Sequence, residues 1–335
     1  MITRTSVLLG LAIGAYAAAA QQDVEAIRRN FFDPSGKGVL VAAHRAPHAT
    51  HPENSSDATF LPPILILHSL SPRDTVIGDG STVAILSIQA ARHPGISAHR
   101  GASRVAPENT LASFSKAMKM GADFVEVDVR TTADGEQICL HDASLKRTTG
   151  LDATVNSVSF KDIKKISAGR WFGAAYEKEQ VPALEEVCGL VSRFNRTGGR
   201  YVRLYVDCKD IRPAEVVRIL SQYQLLDSAV FYGAVATLRE IRNIAPTARL
   251  LPAYVPSFAE SIIAELHPYA FDVAWEELDP ALVEACHAKG IRVFCDLLGK
   301  DDRMSNYRKA IRFGVDVIQT DDVQRVRDLI RHVKK

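Results

Sequence analysis

The chain has no basic block or stripe: 41 Lys and Arg stand against 39 Asp and Glu, a formal charge of +2 over 335 residues, with both signs interspersed. Nothing in it can neutralise a run of phosphates, so nucleic acid is not an expected partner. It has few cysteines, and the five present (Cys139, Cys188, Cys208, Cys286, Cys295) are odd in number and scattered. That spacing supports neither a disulfide framework nor a zinc site, and reads as buried single thiols. Beyond the N-terminus no apolar run is long enough for a transmembrane helix. No glycine-rich phosphate loop follows the first β-rich run of the main domain, which removes the main support for an open dinucleotide-binding sheet.

What is present begins with "MITRTSVLLGLAIGAYAAAAQQ", where Arg4, an apolar run from Val7 and small residues ending at Ala20 have the layout of a secretory signal. Residues 1–20 are therefore expected to be cleaved and the protein exported, periplasmic or secreted. Residues 21–95 contain proline clusters, a "GDGS" turn and two apolar runs, "ILILHSL" and "TVAILSI". They are too few for a barrel of their own and read as an N-terminal extension packed against the main domain, residues 96–335.

From Ile96 onward, short β-rich runs alternate with helical patterns. Strands are expected at Ile96–His99, Phe124–Val129, Tyr201–Asp207, Ala229–Tyr232, Leu250–Tyr254, Phe271–Ala274, Arg292–Asp296 and Val315–Thr320. Helices fall between them, among others at Thr110–Met120, Leu184–Phe194, Pro213–Gln222, Pro280–Lys289 and Met304–Phe313, several closed by glycine. Eight such pairs in about 240 residues have the size and rhythm of an α/β TIM (β/α)8 barrel.

In such a barrel the reactive groups sit at the C-terminal ends of the strands. His99, Arg100, Glu126, Asp128, His141, Asp142, Asp207 and Lys209 all fall there. Glu126 and Asp128 are two apart on one strand, so both carboxylates project from the face opposite Val125, Val127 and Val129. Two inward carboxylates repel and are costly to desolvate without a cation, which points to one divalent metal ion, Mg²⁺ or Ca²⁺ rather than zinc, on oxygen ligands.

This constellation resembles the glycerophosphodiester phosphodiesterase family. The resemblance is carried from Ile96 to the C-terminus by "HRG", "PENT", "GADFVEVDVRTTADG", "LHDASLKRTTG", "WFGAAYEKEQVPALEEV", "VDCK" and "GVDVIQTDD", in order. It implies metal-dependent hydrolysis of glycerophosphodiesters to glycerol 3-phosphate and an alcohol. By the resemblance, Glu126, Asp128 and Asp207 hold the metal, His99 and His141 act as acid and base, and Arg100 and Lys209 neutralise the phosphate. Glu108 of "PENT" is a further active-site carboxylate, Asp142 orients its loop, and Trp171 and Phe172 line the pocket mouth or simply pack.

Two departures stand out. Asp207 takes the place of a more usual glutamate, shortening the reach by one methylene. The seventh strand, "VFCDLLGKDD", has Cys295 and Asp296 where a tryptophan-containing strand is common, which bears on head-group selectivity. The rival readings are a lysophospholipase D or sphingomyelinase D-like lipid phosphodiesterase, and a catalytically silent phosphate-binding barrel. Retention of both histidines and three carboxylates argues against the silent one. A lipid enzyme should expose apolar residues round the barrel mouth, and no such loop stands out.

One phrase is written twice. "AAHRAPHATHPENS" (Ala42 to Ser55) repeats "SAHRGASRVAPENT" (Ser97 to Thr110), with Pro-Glu-Asn beginning eight residues after the histidine in both. The first copy has Ala46 for Gly101 and Ser69 for Asp142, and Asn54 to His68 spans 14 residues where Asn109 to His141 spans 32. The missing segment is the one that carries the metal carboxylates. The first copy therefore reads as a partial duplication without a second site, and His44, His48 and His51 as a solvated loop.

Overall fold

The computed structural model describes residues 93–197 and 200–333, together with the backbone of two short N-terminal strands. Those strands, Thr75–Gly78 and Val83–Leu86, pair antiparallel on either side of the "GDGS" sequence. The chain divides into two units at Arg92/His93. The expected signal segment, most of the extension and the first copy of the repeated phrase lie outside the described residues.

The larger unit is the expected barrel. Eight parallel strands, β1 (Gly95–Ala98), β2 (Phe124–Thr131), β3 (Arg203–Asp210), β4 (Val230–Gly233), β5 (Arg249–Leu251), β6 (Ala270–Ala274), β7 (Arg292–Leu297) and β8 (Val317–Thr320), follow one another round the sheet. β8 returns to pair with β1. β5 and β6 lack a full ladder, but an isolated bridge between Ala253 and Asp272 and the Tyr254 N–H donating to the Asp272 carbonyl (2.7 Å) link them. The outer helices are α1 (Leu111–Met120), α2 (Leu184–Thr197), α3 (Pro213–Gln222), α4 (Val235–Ile244), α5 (Ala259–Leu266), α6 (Pro280–Ala288), α7 (Met304–Phe313) and α8 (Val323–Val333). Each expected strand and helix is present, with ends displaced by a few residues, as fraying termini allow.

Local chemistry sets these boundaries. Thr110 caps α1, accepting from the Ser113 N–H while the Ser113 hydroxyl accepts from the Thr110 N–H, a capping box. α1 and α7 end at Gly121 and Gly314 in the left-handed conformation.

The strand alternation sorts side chains between two cores. On β2, Val125, Val127 and Val129 face outward and pack with Phe114, Ala117 and Met118 of α1 in the large core between sheet and helices. Phe124, one residue out of phase, joins Tyr205, Val230, Leu251, Ala270, Phe294 and Val317 in an apolar floor inside the barrel. Above that floor the inward positions are polar: Ser97, Glu126, Asp128, Asp207, Asp272, Asp296 and Gln319 occupy the next inward steps of the same strands. Between β2 and α2 an insertion, including the short antiparallel strand Gln137–Cys139, folds over its own small core of Ile138, Leu140, Leu145, Val155 and Ile163. All five cysteines are buried and free, as their spacing implied. Among the described residues no helix is long and apolar enough to cross a membrane.

Candidate active site

Glu126 and Asp128 are 2% and 1% exposed within β2, and Asp207 sits beside Asp128 in the β2–β3 register. Carboxylate oxygens of all three lie within 4.8 Å of one another. Their surroundings supply hydrogen bonds but too little positive charge. The Arg100 N–H donates to Glu126 (2.6 Å), and the Asn109 amide donates to Asp128 (2.7 Å) while accepting from the Asp128 N–H. Lys209 Nζ lies 2.6 Å from Asp207 and 3.2 Å from Asp128. Burial, reinforced by the Asp128 and Asp207 charges, pushes the Glu126 carboxyl well up, and burial raises Asp207 despite Lys209. Three hard oxygen donors with unneutralised charge fit a divalent cation of the Mg²⁺ or Ca²⁺ type.

The loop after β1 brings Arg100 against this cluster. Arg100 (φ 55°) and Gly101 (φ 82°) turn the chain sharply, aiming the Arg100 N–H at Glu126. A Cβ on Gly101 would lie 2.8 Å from the Ser113 carbonyl carbon, so the turn requires glycine. The Arg100 guanidinium pairs with Glu108 (3.0 Å), and its Nε, buried without a hydrogen bond, lies 3.5 Å from Asp128. Glu108 also takes two bonds from Arg147, each 2.8 Å. Burial alone would raise Glu108, but Arg147 and Arg100 outweigh it and hold it below the usual range. Glu108 is thus the acid that gathers two arginines.

Each histidine is held by a carboxylate through Nδ1. His99 meets Asp321 just beyond β8 (2.8 Å), and His141 meets its neighbour Asp142 (2.7 Å). The His141 backbone is anchored by two bonds from Arg130 to its carbonyl, at 2.9 and 2.7 Å. Arg147 grips Asp142, its first and strongest influence, and with His141 keeps that carboxyl well below the usual range. With Nδ1 engaged, Nε2 of each ring is the atom left for proton transfer.

All eight residues expected from the sequence are described, and strands β1 to β3 with their following loops bring them to one end of the barrel. Asp142 does more than shape its loop, because it links His141 to Arg147. Sequence reasoning missed Asp321, Asn109 and Arg147. Asp321 stood within "QTDD" at a strand end and Asn109 within "PENT", so both lay inside motifs already singled out.

Trp171 is 45% exposed, with its ring edge-on to Phe172 at 5.6 Å. Val105, Trp171, Val255 and Phe258, each at least 39% exposed, all lie in segments that follow barrel strands. They come from three separate segments, which is why no single stretch of sequence displays them.

Residues 99–325 match the family model described as the glycerophosphoryl diester phosphodiesterase family. A glycerophosphodiester phosphodiesterase of Caldanaerobacter subterraneus is 30% identical over 248 residues, covering 70% of this chain and 96% of the relative. Among solved structures, the glycerophosphodiester phosphodiesterase of Agrobacterium tumefaciens superposes with a TM-score of 0.63 at 27% identity, covering 70% of this chain and 98% of that one. An Oleispira antarctica phosphodiesterase, solved with its product sn-glycerol-3-phosphate, gives 0.65 at 26% identity, covering 71% and 97%. With the barrel, the carboxylate cluster and these likenesses together, the chain belongs to the glycerophosphoryl diester phosphodiesterase family and is a phosphoric diester hydrolase.

Proposed function

We propose that the protein hydrolyses glycerophosphodiesters to glycerol 3-phosphate and an alcohol, using His99 and His141 as an acid–base pair beside a divalent cation held by Glu126, Asp128 and Asp207. The observation that carries this reading is the pairing of each histidine Nδ1 with its own carboxylate, Asp321 or Asp142, at the mouth where the three other carboxylates cluster. Holding an imidazole through Nδ1 fixes its tautomer and leaves Nε2 to give or take a proton.

A phosphodiester gains negative charge as a nucleophile adds, so cations fixed beforehand stabilise the transition state more than the substrate. A bound divalent ion would supply Lewis-acid stabilisation of the phosphoryl oxygens. Arg100 and Lys209, held by Glu108 and Asp207, bring fixed positive charge to the same place. One histidine takes the proton of the substrate's glycerol hydroxyl as it attacks phosphorus. The other donates a proton to the departing alcohol, and the roles exchange when water opens the cyclic phosphate. Export by the N-terminal segment is part of the same reading, supported by Arg4, the apolar run and the small residues to Ala20; N-terminal sequencing of the protein from extracytoplasmic fractions tests it.

The enzymatic test is glycerol 3-phosphate release from glycerophosphocholine, glycerophosphoethanolamine and glycerophosphoglycerol, with lysophosphatidylcholine alongside because of the exposed Val105, Trp171, Val255 and Phe258. Wild type, His99→Ala, His141→Ala and Glu126→Gln are compared with and without EDTA. Turnover that survives chelation and all three substitutions overturns the mechanism.

A further inference from the structure

Five carboxylates line the polar half of the barrel interior, and the proposed chemistry uses three. The other two, Asp272 on β6 and Asp296 on β7, face inward over the apolar floor. Asp272 is 8% exposed; Tyr205 donates to its Oδ2 at 3.1 Å, while its Oδ1 is buried without a hydrogen-bond partner. Asp296 accepts from the Gln319 amide at 2.7 Å. Among the described residues no lysine or arginine pairs with either acid. Burial pushes both carboxyls up, Asp272 strongly; the Asp296 charge adds to the rise at Asp272, whereas at Asp296 it is the Asp207 charge that adds and Asp272 that lowers.

Both acids line a cavity of about 290 Å³ whose walls also carry Tyr232, Tyr254, Trp275 and Glu276. The three aromatic residues are half-buried, and they enter from β4, from the loop after β5 and from the turn after β6. Aromatic faces attract a cation through their quadrupole, and two buried acids with no lysine or arginine beside them complete the complement to an organic ammonium group, whose charge favours their ionised form. The volume is at the small end of ligand pockets, roughly 300 to 1,000 Å³. It suits a compact polar group rather than an acyl chain.

The cavity adjoins the reaction centre. Asp296 feels the charges of His99 and Asp207. Gln319, which holds Asp296, accepts from Ser97 two residues before His99, and Tyr205, which holds Asp272, stands two residues before Asp207.

We infer that the cavity walled by Asp272, Asp296, Tyr232, Tyr254 and Trp275 is a subsite for a cationic amino-alcohol head group, selecting diesters of the choline and ethanolamine type over neutral ones. This rests on the proposed diesterase reading for its kinetic consequence, though not for binding. On β7, Asp296 brings negative charge to the cavity wall with no lysine or arginine paired to it among the described residues. A neutral head group leaves that charge unmatched, and an anionic one is repelled.

Two measurements test it. Choline chloride titrated into the full-length Trp171→Phe protein, whose remaining tryptophan is Trp275, should perturb its fluorescence, whereas the neutral isostere 3,3-dimethyl-1-butanol should not. Equal responses to both, or none to choline, overturn the subsite whether or not the protein turns over any diester. In kinetics, Asp296→Asn and Asp272→Asn keep side-chain volume, and should cut kcat/KM for glycerophosphocholine by about tenfold or more while leaving glycerophosphoglycerol nearly unchanged. A uniform fall across substrates, or a wild type that prefers glycerophosphoglycerol, overturns the inference while leaving the diesterase reading intact; absence of turnover on every diester overturns that reading and leaves the choline titration to decide this one.

Discussion

Asp321→Asn isolates one charge in the proposed acid–base machinery. Asp321 lies 2.8 Å from His99 Nδ1, and the two side chains are only 23% and 18% exposed. Burial alone would raise the Asp321 carboxyl, but the hydrogen bond and charge of His99 outweigh it, so the carboxylate is ionised at neutral pH. A charge-assisted hydrogen bond contributes about 1.5–3 kcal/mol, roughly twice a neutral one. Asparagine keeps the volume and a carbonyl that can still accept the Nδ1 proton, so it forfeits about half of that, ~0.8–1.5 kcal/mol. At ~1.4 kcal/mol per decade this is a fall of about 4- to 12-fold in kcat, with KM little changed because Asp321 acts through His99 and not on the substrate. Asp321→Ala removes the whole interaction and should cost about 10- to 150-fold. The assay is steady-state release of glycerol 3-phosphate, run as a double-mutant cycle with His99→Ala. In the His99→Ala background, Asp321→Asn should cost nothing more. Equal kcat for wild type and Asp321→Asn, or the same penalty with and without His99, refutes the positioning role.

Other consequences follow from the same geometry. Glu126 and Asp207 have raised folded-state pKa values, so the cation-free protein keeps protons that its unfolded chain releases. That contribution is present below the unfolded values and is lost as pH rises through the folded ones. The melting temperature of the EDTA-treated protein should therefore fall, relative to the cation-loaded protein, as pH rises above the ordinary carboxylate range, and cation at 100 times its Kd should add ~2.7 kcal/mol, about 5–11 °C for a domain of this size. Identical midpoints with and without EDTA over that rise in pH contradict the carboxylate cluster as a cation site. Asn109→Ala strips Asp128 of a buried donor and its N–H of an acceptor, and should cost about 2–4 kcal/mol in urea unfolding. Gly101→Ala should displace Arg100 from Glu126 and suppress turnover, whereas His44→Ala in the first copy should leave turnover nearly intact; comparable losses in the two assays would mean that the first copy contributes to catalysis.

The barrel was legible because its signals are local. Glycine after helices, β-rich runs of four to eight residues and their regular alternation each follow from backbone preferences within a few positions. The inward pair Glu126 and Asp128 was legible for the same reason, since strand parity alone puts them opposite three valines. Asp321 was not, because its partner His99 is 222 positions away and becomes a neighbour only when β8 closes on β1. Arg147 was obscured differently: in "LKRTTG" it is one of two adjacent basic residues, and only the folded insertion shows that it, rather than Lys146, reaches Glu108 and Asp142. Lys146 pairs instead with Asp152 on the surface.

The repeated phrase shows why a motif's spelling is insufficient. In the second copy each letter has a partner supplied from elsewhere: His99 from beyond β8, the Arg100 N–H from β2, Glu108 from the Arg147 turn, and Asn109 from Asp128. The tight turn that satisfies them all passes through Gly101 at φ 82°. The first copy has alanine at that step, and the 14 residues from Asn54 to His68 are too few for an eight-residue strand such as β2, preceded by a ten-residue helix such as α1. A second site built on the same plan would therefore lack both the conformation and the carboxylates. The chemistry of "HRG…PENT" belongs to the closed barrel that surrounds it, which is why turnover should depend on Asp321 and not on His44.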